Sequence, residues 1–271
     1  MYFQNNIMSK KEKVLVILPT HNKPHLIDLS IESILNQTYG DFLLAVCGDG
    51  VNDETRDVLQ TLSKVDDRIV FFDFEKRGRT GEFNRNLVIE KYKPNFITYL
   101  ADDDLLLKNH IEIMMNQIIN RDFVHPMPMF VRNDNSLFFY KESVTKRDSV
   151  ERLNNKPSYS FLTISGPIHT YDVYKRVNGW EDTPIGWPTD KYMWLKMLNL
   201  KGIKAKDLSY STTIKLQSPT DKKISSLITK NEEREQMLYW SEKIKDNNFF
   251  NEWNVMVKKQ YTSPLPIPIG Y

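Results

Sequence analysis

The chain has 271 residues, 40% of them apolar and 27% charged, with a formal net charge of +2. This balance excludes a disordered chain and allows one large core, while so small a charge argues for no nucleic-acid partner. No apolar run approaches the roughly 20 residues of a membrane span and no signal peptide is read, which leaves only peripheral membrane contact.

Residues 1–12 read as a disordered tail. Residues 14–18 are apolar and β-branched, the pattern of a buried strand, and Pro19 ends them. After the loop Thr20-His21-Asn22-Lys23, Pro24 suits a first helical turn capped by Asn22 or Lys23, and Ile27, Ile31, Ile34 and Leu35 follow at helical spacing. A second apolar strand, 42–47, empties into Gly48-Asp49-Gly50. Its Cys47 is the only cysteine, so no intramolecular disulfide forms and a reducing, cytoplasmic setting fits. Asp53 is expected to cap a helix over 54–64. Residues 69–74 give a third strand, Lys76 to Gly81 a loop, and 82–92 another helix. A fourth strand, 96–100, runs into three consecutive acids, Asp102, Asp103 and Asp104.

Strand and helix alternating through short loops predict an α/β fold: a Rossmann-like three-layer sandwich with a mostly parallel central sheet. Ligands in such sheets bind at the carboxyl ends of the strands, so the loops at Thr20, Asp49, Arg79 and Asp102 are expected along one edge. Three adjacent acids beside apolar residues cost stability unless a cation shares their charge. Carboxylates are the preferred ligands of Mg²⁺ and Mn²⁺, which makes the cluster a candidate metal–phosphate site.

From 122 the pattern changes to an α+β segment. Residues 122–132 and 137–140 read as strands, the charged stretch 141–155 as an exposed loop, 159–164 as a strand and 171–177 as a short helix. A loop at 180–188 leads to an amphipathic helix over 189–200, an edge strand over 208–216 and a charged helix around 232–245. The Pro-rich tail 264–271 is expected to be extended. The organisation read is 13–121 as a nucleotide-binding half, 122–217 as an acceptor-binding half of the same domain, and 218–271 as a C-terminal helix and tail. All five Trp fall after residue 179, which suggests an amphipathic, grooved surface in the C-terminal half.

The first loop has no glycine, and Gly48-Asp49-Gly50 lacks the third glycine of a dinucleotide fingerprint, which argues against NAD binding and a P-loop. The five histidines form no zinc signature, and there is no nucleophile elbow. A carboxylate-dominated site remains, with Arg79 and Arg85 nearby. The run from Val14 to Thr55, VLVILPTHNKPHLIDLSIESILNQTYGDFLLAVCGDGVNDET, resembles the opening of the inverting family 2 glycosyltransferases of the A-type nucleotide-sugar fold. GRTGEFNRNL is similar to that family's glycine-containing loop, ADDDLLL to its metal motif, and GWEDTPIGWPTDKYMWLKMLNLKG to its acceptor-side segment.

The resemblance implies sugar transfer from a nucleoside-diphosphate sugar, UDP-sugars favoured, to a hydroxyl of a glycan or lipid-linked acceptor. It implies that Thr20, Asp49 and Arg79 contact the nucleotide, with Asp102 and Asp103 at the ribose. Asp104, with Asp102, would ligate Mn²⁺ or Mg²⁺, and Asp190 would be the catalytic base. On the acceptor side, His169, Trp180 and Trp187 are candidates to stack on or bond a sugar. The chain departs from the family in Gly48-Asp49 and Thr189-Asp190, each where two acids are common. It also has no histidine beyond residue 169; Lys215 and Gln217 stand where some relatives place one. Two other classes share the outline: a catalytically degenerate sugar-nucleotide binder, and a nucleotidyltransferase.

Overall fold

The computed structural model describes residues 14–216 and 229–262. In chain order the first half is β1 (Val14–Thr20), α1 (Ile27–Leu35), β2 (Phe42–Asp49), α2 (Asp53–Val65), β3 (Ile69–Phe74), α3 (Glu82–Tyr92), β4 (Phe96–Tyr99), β5 (Asp104–Leu106) and α4 (His110–Ile118). The second half is β6 (Phe123–His125), β7 (Met129–Val131), β8 (Leu137–Phe138), α5 (Arg147–Asn155), β9 (Ile168–Thr170), α6 (Tyr171–Arg176), α7 (Thr189–Leu198), β10 (Ala205–Asp207) and β11 (Thr213–Leu216). Two helices follow, α8 (Lys230–Lys243) and α9 (Asn247–Thr262).

Seven strands form the main sheet in the order β10-β6-β9-β4-β1-β2-β3. Every pair in it is parallel except those made by β9, which runs against β4 and β6. The central strands are buried on both faces, which is why they read as unbroken apolar runs. Alternate residues divide between two cores. Leu15 and Ile17 face Val88, Ile89 and Trp194 from α3 and α7, whereas Val14, Val16 and Leu18 face Ile27, Ile31 and Leu59 from α1 and α2. The three-layer α/β sandwich is therefore what the sequence pattern implies.

A second sheet, β5-β11-β7-β8, begins directly at the acids. Its apolar face, with Leu105, Met129, Val131 and Ile214, packs under Met237, Trp240 and Trp253 of α8 and α9. β11 is an interior strand of this sheet, not the edge strand expected over 208–216, and the main sheet gains β10 instead.

Other differences have local causes. The helix after Pro24 starts only at Ile27, because residues 24–26 form a turn; Asn52, not Asp53, caps α2 by accepting from the Thr55 N–H at 3.0 Å. Pro126 and Pro128 lack N–H donors and split the expected strand into β6 and β7. Stretch 141–155 contains α5, which buries Ser149 and Leu153, two residues that offer little periodic signal in a charged sequence. Residues 159–164 are irregular, held by the Ser160 side chain bonding to Leu162. The second C-terminal helix was missed although Phe249, Trp253 and Val257 recur at helical spacing. The expected N-terminal and Pro-rich tails lie outside the described residues.

Candidate active site

A cleft of about 580 Å³ opens at the carboxyl ends of β1, β2 and β4. It brings together six of the residues singled out in the sequence, Thr20, Asp49, Arg79, Asp102, Trp180 and Asp190, with Arg85 also on its wall.

The first two loops are tied together at the rim. His21 donates through Nδ1 to the Asp49 carbonyl at 2.8 Å, and the Asn22 side chain accepts from the Asn52 N–H at 2.8 Å. Asp49 is 6% exposed, and its carboxylate is committed to the loop after β3. It accepts from the Arg77 N–H at 2.9 Å, from Asn84 Nδ2 at 3.0 Å, and from Lys76 Nζ. Gly81, at φ 77°, lies against it, and an added Cβ would sit 3.0 Å from the Asp49 carboxyl carbon. Arg79 is likewise engaged by protein: it donates to the Thr183 carbonyl and, at 3.4 Å, to that of Trp187, pinning the loop that leads to α7.

Glu82 joins α3 to α7. Its buried carboxylate accepts from the Thr80 N–H and hydroxyl, both at 3.0 Å, and from the Thr189 hydroxyl at 2.9 Å. Burial opposes its ionisation, yet these donors and the neighbouring Arg85 hold its carboxyl below the usual range. Asp190 follows Thr189 and opens on the cleft. Its Oδ1 accepts from the Lys191 N–H at 2.7 Å, and no other side chain hydrogen-bonds the carboxylate among the described residues. Burial pushes its pKa up, against the Lys191 N–H and the Lys215 charge. A helix start favours the anion and weakens a base; here burial outweighs it.

Arg85 is a feature that the sequence showed only as a nearby basic residue. Its guanidinium is 2% exposed and stacks on Trp180 at 4.2 Å. Nη1 donates to the Thr80 carbonyl at 2.8 Å, but Nε and Nη2 find no acceptor among the described residues. Both nitrogens are buried, and the guanidinium places a positive charge beside the cleft.

The three consecutive acids do not act as one group. Asp102 lines the cleft and accepts from the Thr20 hydroxyl at 2.7 Å; burial and its neighbour Asp103 push it up to about 7. Asp103 lies 3.6 Å from Lys23 Nζ, which also reaches Glu233 of α8 at 3.5 Å. Asp104 is fully buried. Its oxygens accept from Ser165 Oγ at 2.5 Å, from the Leu216 N–H at 3.2 Å and from Lys215 Nζ at 3.1 Å. A divalent ion needs carboxylate oxygens with lone pairs to give, and those of Asp104 are already taken by protein donors. Among the described residues, no group of three or more His, Cys, Asp or Glu is placed to hold a metal ion. Asp104 therefore does not fit as a ligand of a resident divalent cation, whereas Asp102 faces the cleft and, among the described residues, its carboxylate accepts from the Thr20 hydroxyl alone.

The aromatic candidates also separate. Trp180 is on the cleft wall, donating through Nε1 to the Tyr99 hydroxyl at 3.3 Å. His169 is fully buried in the core, stacked on Tyr99, and out of reach of any acceptor sugar. Its Nδ1–H donates to the Thr170 carbonyl at 2.9 Å and its Nε2 accepts from the Tyr99 hydroxyl at 2.9 Å. The Trp187 ring packs against Lys191 and Tyr192, off the cleft wall. Cys47 is buried with its thiol pushed up to about 12, an inert core group.

Residues 15–176 match the model of the family described as glycosyl transferase family 2. The chain is 37% identical over 115 residues to the GalNAc(5)-diNAcBac-PP-undecaprenol beta-1,3-glucosyltransferase of Campylobacter jejuni, covering 42% of this chain and 36% of that protein. It is 33% identical over 110 residues to the UDP-Glc:alpha-D-GlcNAc-diphosphoundecaprenol beta-1,3-glucosyltransferase of Escherichia coli, covering 40% of this chain and 42% of that one. The matches thus span less than half the length of these relatives. A mannosyltransferase of Pyrobaculum calidifontis, solved with GDP-Man and Mn²⁺, superposes with a TM-score of 0.56 at 15% identity, over 94% of this chain and 70% of that one. At this identity the likeness is one of fold. Asp190 and Lys215 both lie beyond the family match.

Proposed function

The chain belongs to glycosyl transferase family 2, and from that premise we propose that it moves a sugar from a nucleoside-diphosphate sugar to a hydroxyl of a glycan or lipid-linked acceptor. The observation that carries the reading is the convergence of Asp190, Arg85, Asp102 and Thr20 on one cleft at the sheet edge. A UDP-sugar is the favoured donor and a diphosphate-linked lipid the favoured acceptor, in line with the names of the Escherichia coli and Campylobacter jejuni relatives.

Thr20 and Asp102 take the nucleoside end of the donor, and the buried charge of Arg85 on the cleft wall attracts its diphosphate. Asp49 and Arg79 act one step back, by shaping the loops on either side. The acceptor hydroxyl attacks the anomeric carbon as the bond from that carbon to the diphosphate oxygen breaks. The electron pair leaves on the diphosphate, and the hydroxyl proton passes to Asp190, whose buried carboxylate is a stronger base than an exposed one. A single displacement of this kind inverts the anomeric configuration.

Thermal unfolding in the presence of UDP, GDP, ADP or CDP tests the reading, since a ligand that binds only the folded state raises the melting temperature. UDP is expected to stabilise the protein most. If none of the four does so, with or without Mn²⁺, the cleft is not a sugar-nucleotide site.

A further inference from the structure

We propose that Lys215 takes the place of a divalent cation: its ammonium, anchored by Asp104 and Asp103, receives the charge of the departing nucleoside diphosphate, and donor binding and transfer need no metal ion. The inference rests on the sugar-nucleotide reading of the cleft and deepens it.

The pairing is built into the fold. β11 runs antiparallel to β5 with Lys215 opposite Asp104 in register, so sheet formation itself brings the two together. Lys215 Nζ lies 3.1 Å from Asp104 and 3.8 Å from Asp103. Asp104 is fully buried, whereas the Lys215 side chain keeps 26% of its surface exposed. A lysine ammonium carries three donors on a compact charge and is a recurrent binder of phosphate. Two of its donors go to Asp104, at 3.2 Å to Oδ1 and 3.1 Å to Oδ2, which among the described residues leaves one for a phosphate oxygen. Its field extends to Asp102 and Asp190, both on the cleft wall.

The same geometry disfavours a metal. An ion bound to Asp104 would have to displace the ammonium and strand a positive charge beside it, which is costly in a buried setting. Lys23, held between Asp103 and Glu233, adds a second fixed cation to the same acids. Two lysines thus offset charge that a divalent ion would otherwise neutralise. In the transfer step, the anomeric carbon–oxygen bond breaks, its electron pair passes to the diphosphate, and Lys215 meets that charge. The acceptor proton goes to Asp190 as before, and no further reactant is needed.

The test is UDP binding by thermal shift and calorimetry on the full chain, after exhaustive chelation and again with added Mn²⁺. Equal stabilisation in both conditions is expected. If UDP stabilises only when Mn²⁺ is present, the inference is overturned while the sugar-nucleotide reading stands; if no nucleotide binds in either condition, both are overturned. Lys215→Ala leaves Asp104 unpaired and is liable to misfold, so Lys215→Met combined with Asp104→Asn is the cleaner variant. With its fold intact by circular dichroism, it should bind UDP roughly ten- to a hundredfold more weakly, the loss that follows from one charge-assisted contact. UDP affinity unchanged from wild type in that variant would overturn the role of Lys215.

Discussion

The Thr189 hydroxyl donates to the Glu82 carboxylate at 2.9 Å, which ties the first turn of α7 to the first turn of α3. Asp190 is the next residue, so this bond helps fix where the proposed base points. Glu82 is a positioning residue. Glu82→Gln keeps the shape but removes the charge that Thr80, Thr189 and Arg85 surround. It is expected to lower kcat more than it raises KM for the donor, and to cost roughly 2–3 kcal/mol of stability, the scale of lost charge-assisted bonds. Steady-state kinetics beside a denaturant titration separate the two effects. Unchanged kcat would show that α7 holds Asp190 in place without this bond.

Asp190→Asn is expected to reduce transfer by about 10²- to 10⁴-fold, the usual contribution of a positioned general base. UDP binding should be nearly unchanged, because the proposed base is expected to meet the acceptor's proton and not the nucleotide. Because burial raises the Asp190 pKa, the acid limb of the wild-type rate profile should fall above the pH at which an ordinary aspartate titrates. Full activity in the asparagine variant would remove Asp190 as the base.

Arg85→Lys is expected to weaken UDP binding by roughly ten- to a hundredfold, since lysine cannot reproduce a planar guanidinium that stacks on Trp180 beside the cleft. Calorimetry would read this directly. The substitution should lower the melting temperature of the unliganded protein less than Glu82→Gln does.

The buried His169 makes an acid-stability prediction. Burial lowers its pKa to about 4, from an unfolded value near 6.5. Between those values the unfolded chain binds a proton that the folded chain does not, so its stabilising contribution is complete above pH 6.5 and is lost as pH falls toward 4. His169→Gln should therefore show a shallower decline in melting temperature across this window than the wild type. A parallel decline would mean that His169 does not contribute to acid unfolding.

Much of the site was legible from residue order. The main-sheet strands are short, apolar and separated by polar loops, so the alternation itself placed Thr20, Asp49, Arg79 and Asp102 at one edge. What sequence could not show is which neighbours each acid meets. The family resemblance makes Asp104 a metal ligand among the three adjacent acids, yet β5 starts there and turns it into the second sheet, opposite Lys215. That pairing spans more than a hundred residues and depends on a strand register with no local signal. His169, a candidate to bond the acceptor sugar, lies in the core instead, because β9 runs antiparallel between β4 and β6. Arg79 and Asp49 stand at the cleft as read, but their polar atoms are turned to the protein. The hint that was available, a lysine at 215 where relatives place a histidine, acquires meaning only with β11 beside β5.

The most direct test of the account is transfer itself. The purified protein is incubated with UDP-glucose or UDP-GlcNAc and a diphosphoundecaprenol-linked GlcNAc acceptor, and the product is followed by UDP release and by NMR of the new anomeric centre. The account predicts stoichiometric UDP release coupled to a glycosidic bond of inverted configuration, slowed about 10²- to 10⁴-fold in Asp190→Asn. No sugar transfer from any nucleotide donor, or a product of retained configuration, would contradict it.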